Sequence, residues 1–91
     1  MSHTPPADLD VEVGKLLDDV TSARRKLVEV RQEYARLDAS TLAVDELGDP
    51  IQPADLLSAA RDALADVDRA LGLSADAIYA AIRHTSRLYE R

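Results

Sequence analysis

A catalytic proton relay needs a base, and the chain offers two histidines, His3 and His84. Neither has a carboxylate or a second histidine at the spacing of a general base or a metal ligand. His84 is followed two residues later by Ser86, and that interval sends side chains to different sides of a helix, so no nucleophile and base are paired. Carboxylates four apart occur as Asp8 with Glu12, Glu29 with Glu33 and Asp62 with Asp66. None belongs to the Glu-x-x-His arrangement from which di-metal helical bundles are built, and they read as solvated faces. Gly14, Gly48 and Gly72 stand too far apart to cradle a phosphate, and the chain has no cysteine to serve as nucleophile, disulfide or thiolate ligand. The expectation is a protein that is not an enzyme and has no cofactor and no metal.

Charge is the chemistry that remains. The formal net charge is −6, distributed in blocks: −4 over residues 7–22, +3 over 23–36, −7 over 37–76 and +2 over 77–91. Arg24, Arg25, Lys26, Arg31 and Arg36 form a basic island in this acidic field. Tyr79, Arg83 and Arg87, each four residues from the next, define a second stripe able to meet anionic groups. Such islands can pair with the acidic blocks or with an anionic partner, and pairing within or between subunits is the expected use.

Helices must position these groups. A chain of 91 residues makes one domain with a thin core, and the 3 % of aromatic residues, all tyrosine, leave burial to Leu, Val, Ile and Ala. That favours an all-α fold. From Val13 the apolar residues keep a seven-residue repeat: Val13, Val20, Leu27, Tyr34 and Thr41 at one position, with Leu16, Ala23, Val30, Leu37 and Val44 at the other. This is a coiled-coil seam. "LGDPIQP", residues 47–53, reads as a stop, a turn and a restart, after which Leu57, Ala60, Leu64, Val67 and Leu71 resume the spacing. Gly72 then fits a left-handed helix C-cap and Ser74 an N-cap.

The expected layout is a flexible leader over 1–7 and a single helical domain over 8–91. It is a helical hairpin with a long first helix over about 9–45, a shorter second one over 54–71 and a short third one over 75–90, which buries Ile78, Ile82 and Leu88 or Tyr89. The leader has no basic or apolar segment of a secretory signal, and the longest apolar run, "AIYAAI", is too short to span a bilayer, so a cytoplasmic location and no membrane partner are expected.

"LADVDRALGLSADAIYAAIR", residues 64–83, resembles the helix-turn-helix segment of lactose-repressor-type and response-regulator DNA-binding domains at Val67, Leu71, Gly72, Leu73, Ser74, Ile78, Ala81 and Ile82. The resemblance implies a recognition helix starting at Ser74, with Tyr79, Arg83 and Arg87 facing phosphates or base edges. Asp68 stands where that motif usually carries a small residue. "YARLD", 34–38, has the Tyr-x-x-x-Asp form similar to the export signal of small helical hairpins secreted by type VII systems, without that family's Trp-x-Gly turn; Tyr34 on the seam reads as core.

The functional expectation is a non-catalytic interaction, assembly or small regulatory protein acting through the seam Val13, Leu16, Val20, Leu27, Val30, Tyr34 and Leu37. Its partner is another helical protein or a second copy, in an antiparallel dimer where Arg24 meets Asp45 and Arg31 meets Asp38. The alternative is a dimeric helix-turn-helix transcriptional regulator.

Overall fold

The computed structural model describes residues 4–91, so that His3 and the first part of the leader lie outside the described residues. Helix α1 runs Pro6–Arg36 and helix α2 runs Pro53–Thr85, antiparallel and joined by a linker that holds a single 3-10 turn, Ala39–Thr41. Each helix starts on a proline, whose fixed backbone angle suits the first turn and whose missing N–H would have no helical partner there. The Pro5 carbonyl accepts from the backbone N–H of Asp8 and Leu9. Asp8 and Asp55 lie in the two first turns and Arg36, Arg83 and His84 in the two last turns, each sign complementing the helix dipole.

The first helix starts earlier and stops about nine residues sooner than its apolar spacing suggests, and the reason is local. Past Arg36 the chain meets Asp38 and Thr41, whose side chains bind nearby backbone in place of the helical ladder. Asp38 Oδ1 accepts from the Ser40 N–H at 2.9 Å and from the Ser40 hydroxyl at 2.8 Å, and Thr41 Oγ1 donates to the Asp38 carbonyl at 2.8 Å. Leu37 is already extended. The carbonyls orphaned at this helix end are met from α2: Arg61 Nε donates to the Tyr34 carbonyl at 3.0 Å, and its Nη2 donates to the same oxygen at 2.8 Å and to that of Leu37 at 3.2 Å.

The expected second and third helices are one. α2 passes through Gly72 and Ser74 without interruption, and no described glycine has a positive φ. Gly72 is flanked by Ala70, Leu71, Leu73 and Ala75, helix formers strong enough to carry one glycine through. A Cβ placed on Gly72 would lie 3.7 Å from Arg24 Nη2, an ordinary contact. Leu88 and Tyr89, expected to be buried, lie beyond the helix end and are exposed.

Two helices side by side form one layer. The molecule measures 65 × 26 × 15 Å with a radius of gyration of 20.0 Å, against about 12 Å for a compact domain of this length. Only Leu27, Leu57 and Ala75 are buried among the described residues. The hairpin is pinned along its length: Thr85 Oγ1 donates to Asp10 Oδ1 at 2.6 Å at one end, Arg31 lies 3.7 Å from Asp68 in the middle, and Arg61 closes the other end.

Gly72→Ala discriminates a continuous helix from a capped corner. In a continuous helix it should stabilise the fold by about 0.5–1 kcal/mol, whereas at a left-handed cap it should destabilise by a similar amount. Thermal denaturation followed by circular dichroism reads the sign. Arg61→Ala should cost about 1–2 kcal/mol by stripping the cap from α1, with amide exchange accelerated first around Tyr34 to Leu37.

Candidate functional site

The seam that closes the hairpin uses only half of the residues that the seven-residue spacing singles out. Val13, Val20 and Leu27 are withdrawn from solvent, whereas Tyr34, expected as core, is exposed at 38 % where it lines the groove at the loop end. Their companions, one residue on from the alternate seam positions, are Asp10 and Leu17, both partly withdrawn, followed at the same spacing by Arg24 and Arg31, which are exposed and reach across the edge of the seam toward Gly72 and Asp68. Rotation by that one residue turns the other predicted set outward: Leu16 and Leu37 are exposed at 55 % and 41 %, Ala23 is exposed, and Val30 is only half-buried. On α2, Leu57, Ala60, Leu64 and Leu71 turn inward as expected, whereas Val67 is exposed at 45 % and Asp68 takes the inner place opposite Arg31.

The displaced residues form a face. On α1, Leu9, Leu16, Ala23 and Val30 recur every seven residues, and Leu37, the extended residue just past the helix end, follows at the same interval. On α2, Leu56, Ala63, Ala70 and Ala77 recur every seven, with Val67, Ser74 and Ala81 interleaved. Each stripe lies about a quarter turn from its own seam, in the same rotational sense along its own helix. In an antiparallel pair, equal rotations in the same sense lead to the same side, so both stripes share one broad surface of the hairpin. At the loop end this surface opens into an apolar groove where Leu37 and Leu56 line the same wall as Leu42 and Val44.

The opposite surface is the more charged one, although Val28 is exposed on it at 51 % beside Thr21. Arg24 and Arg25 line it with Asp68, and Arg31 with Arg61. The basic island is thus divided: Arg31 is engaged with Asp68, Arg36 pairs with Glu33 at 2.8 Å, and Lys26 lies along the outer edge of the apolar face. Arg31 is unavailable to Asp38, which is itself engaged by Ser40 beyond the helix, so the expected Arg24–Asp45 and Arg31–Asp38 pairings have no helix to run along. Tyr79 and Arg83 are exposed on α2, while Arg87 follows the helix end and donates its N–H to the His84 carbonyl. Asp66 pairs with Arg69 on its own helix, and Asp62 is about 30 Å along α2 from Arg83, too far for pairing within one chain.

Residues 64–83, which carry the likeness to a helix-turn-helix, lie within the one continuous helix α2. Among the described residues no cluster of three or more His, Cys, Asp or Glu is placed to hold a metal, and no helix is long and apolar enough to cross a membrane. Comparison with family models, curated proteins and solved structures gives no match.

Two exposed side chains have perturbed acidities. The Ser40 backbone N–H and then its hydroxyl hold the Asp38 carboxyl below the ordinary carboxylate value, and hydrogen bonding and attraction to Glu12 raise Lys15. Because the folded-state pKa of Asp38 is depressed, its contribution to stability is present above the ordinary carboxylate pKa and is lost as pH falls through the depressed value. Carbonyl carbon titration by NMR should show Asp38 among the last carboxylates to protonate, and Ser40→Ala should return it toward the ordinary value.

Proposed function

We propose that the protein is a non-catalytic helical interaction module that docks other helices on the apolar face beside its own seam. The observation that supports this reading is the exposed stripe pair, Leu9 to Leu37 on α1 and Leu56 to Ala81 on α2. A folded monomer exposes single apolar residues freely, but contiguous apolar surface along two helices marks a contact surface. Ala63, Ala70 and Ala77 would let a partner helix approach closely, while Leu16, Val30 and Val67 would supply the knobs of a coiled-coil type of packing. The polar edge formed by Glu12, Asp19, Lys26 and Glu33 suits the rim of such an interface, where charge sets orientation more than affinity.

A photo-crosslinking side chain at Leu16, on this face, should give protein adducts in cells of the native host. The same group at Arg25, on the charged face, should give few, and circular dichroism should show both variants folded. Adducts to DNA from position 83, with none to protein from position 16, would replace this reading with the nucleic-acid one.

A further inference from the structure

We infer that the occupant of the apolar face is a second copy of this chain, stacked face to face to make a four-helix bundle in which α1 lies antiparallel on its own counterpart and crosses it at Ala23. This deepens the interaction reading and rests on it.

Surface area is the first argument. The chain exposes 7457 Å², whereas a folded monomer of 9.9 kDa is expected to expose about 5,200 Å². The excess, roughly 2,200 Å² per chain, is of the size that obligate homodimers bury. A single layer of two helices is half of the two-layer arrangement from which stable helical domains are made.

Self-complementarity is the second. The α1 stripe reads nearly the same in both directions: Leu9, Leu16, Ala23, Val30, Leu37. Two copies crossing antiparallel at Ala23 set Leu9 against Leu37, Leu16 against Val30 and the smallest side chain against itself on the two-fold axis. The α2 stripe has its own centre between Ala70 and Ser74, with Ala63 facing Ala81 and Val67 facing Ala77 on either side of it. The two centres lie at about the same level of the hairpin, because the register set by Thr85 on Asp10 brings Ala23 level with Gly72, where the Arg24 guanidinium also reaches. One two-fold axis therefore serves both helices, as a closed isologous dimer requires.

Charge selects the orientation. Residues 7–22 carry −4 and residues 23–36 carry +3, so antiparallel copies of α1 place acidic half on basic half. Along the edge of the face Asp19 and Lys26 bracket Ala23, and the two-fold brings each Asp19 to the Lys26 of the other copy. Glu12 and Glu33, brought together at the ends, already carry Lys15 and Arg36 as partners. Stacking α1 on the α2 of the second copy instead, in the register of the hairpin itself, would bring Glu33 beside Asp62 and Asp66.

Sedimentation equilibrium of the full chain between about 10 and 200 μM should give twice the chain mass, and Leu16→Glu combined with Val67→Glu should weaken association by a hundred-fold or more, because each change is felt twice in a two-fold interface. Ala23→Cys should form a disulfide-linked dimer under mild oxidation far faster than Arg25→Cys on the opposite face, since only residues near the axis approach within bridging distance. All these positions are exposed, so the variants should fold, which circular dichroism checks. A chain that sediments as a monomer over that range overturns the inference. So does a dimer in which Ala23→Cys links no faster than Arg25→Cys. Crosslinking of a different protein at Leu16 by a monomeric chain would overturn this inference while leaving the interaction reading in place.

Discussion

Arg61 holds the hairpin in register. Its guanidinium reaches across from the third turn of α2 to the last carbonyls of α1, and binding the Tyr34 and Leu37 oxygens together fixes both where α1 ends and how far α2 has advanced when it passes that end. A slip by one helical turn would leave those carbonyls without their donor. The same register sets Arg31 opposite Asp68 and Thr85 opposite Asp10. Because two helices have no third element to correct their rotation, the few cross-helix polar contacts decide which flank of each helix is turned inward. The exposed apolar face is thus a consequence of the register, not a separate feature of the sequence.

A two-helix layer also bounds what packing can do. Each helix buries a single narrow stripe, and three buried residues form the interior. Stability under those conditions leans on long helices with strong local propensity, proline starts and complementary charges, all present here. A protein of this length that carries apolar residues on a second stripe of each helix is built from more hydrophobic surface than its own hairpin can use, which is the physical basis of the interaction reading.

How much of this was legible in the sequence depends on which ambiguity each residue posed. The all-helical class followed from an aliphatic, aromatic-poor composition, and Pro53 marked the second helix start. Val13, Val20 and Leu27 were found by spacing, but their companions were not: after Val13 both Leu16 and Leu17 are apolar, and a 3,4 pattern can continue through either. The structure continues through Leu17, Arg24 and Arg31, and arginines were poor candidates by composition although their alkyl stems can cover a seam while the guanidinium finds an acid. Gly72 followed by Ser74 looked like a cap and a start, a signal that adjacent alanines and leucines outweigh. Arg61 carried no signal at all, because capping across 24 to 27 residues of chain has no local pattern.

Charge arrangement ties the fold to its surroundings. Both helices begin acidic and end basic, which suits their dipoles, and in an antiparallel hairpin it also lays the acidic start of α1 beside the basic end of α2. The pattern therefore serves the single helix and the helix pair at once. Under the proposed association the same logic applies, since two such helices set opposite charges together when they meet antiparallel. An apolar face left bare would otherwise drive indiscriminate aggregation. A net charge of −6 opposes that, and the rim of Asp19, Lys26 and their neighbours penalises arrangements that set like charge on like. On the proposed reading the exposed face would thereby be selective: apolar attraction is non-directional, and the direction would come from the charges at its edge.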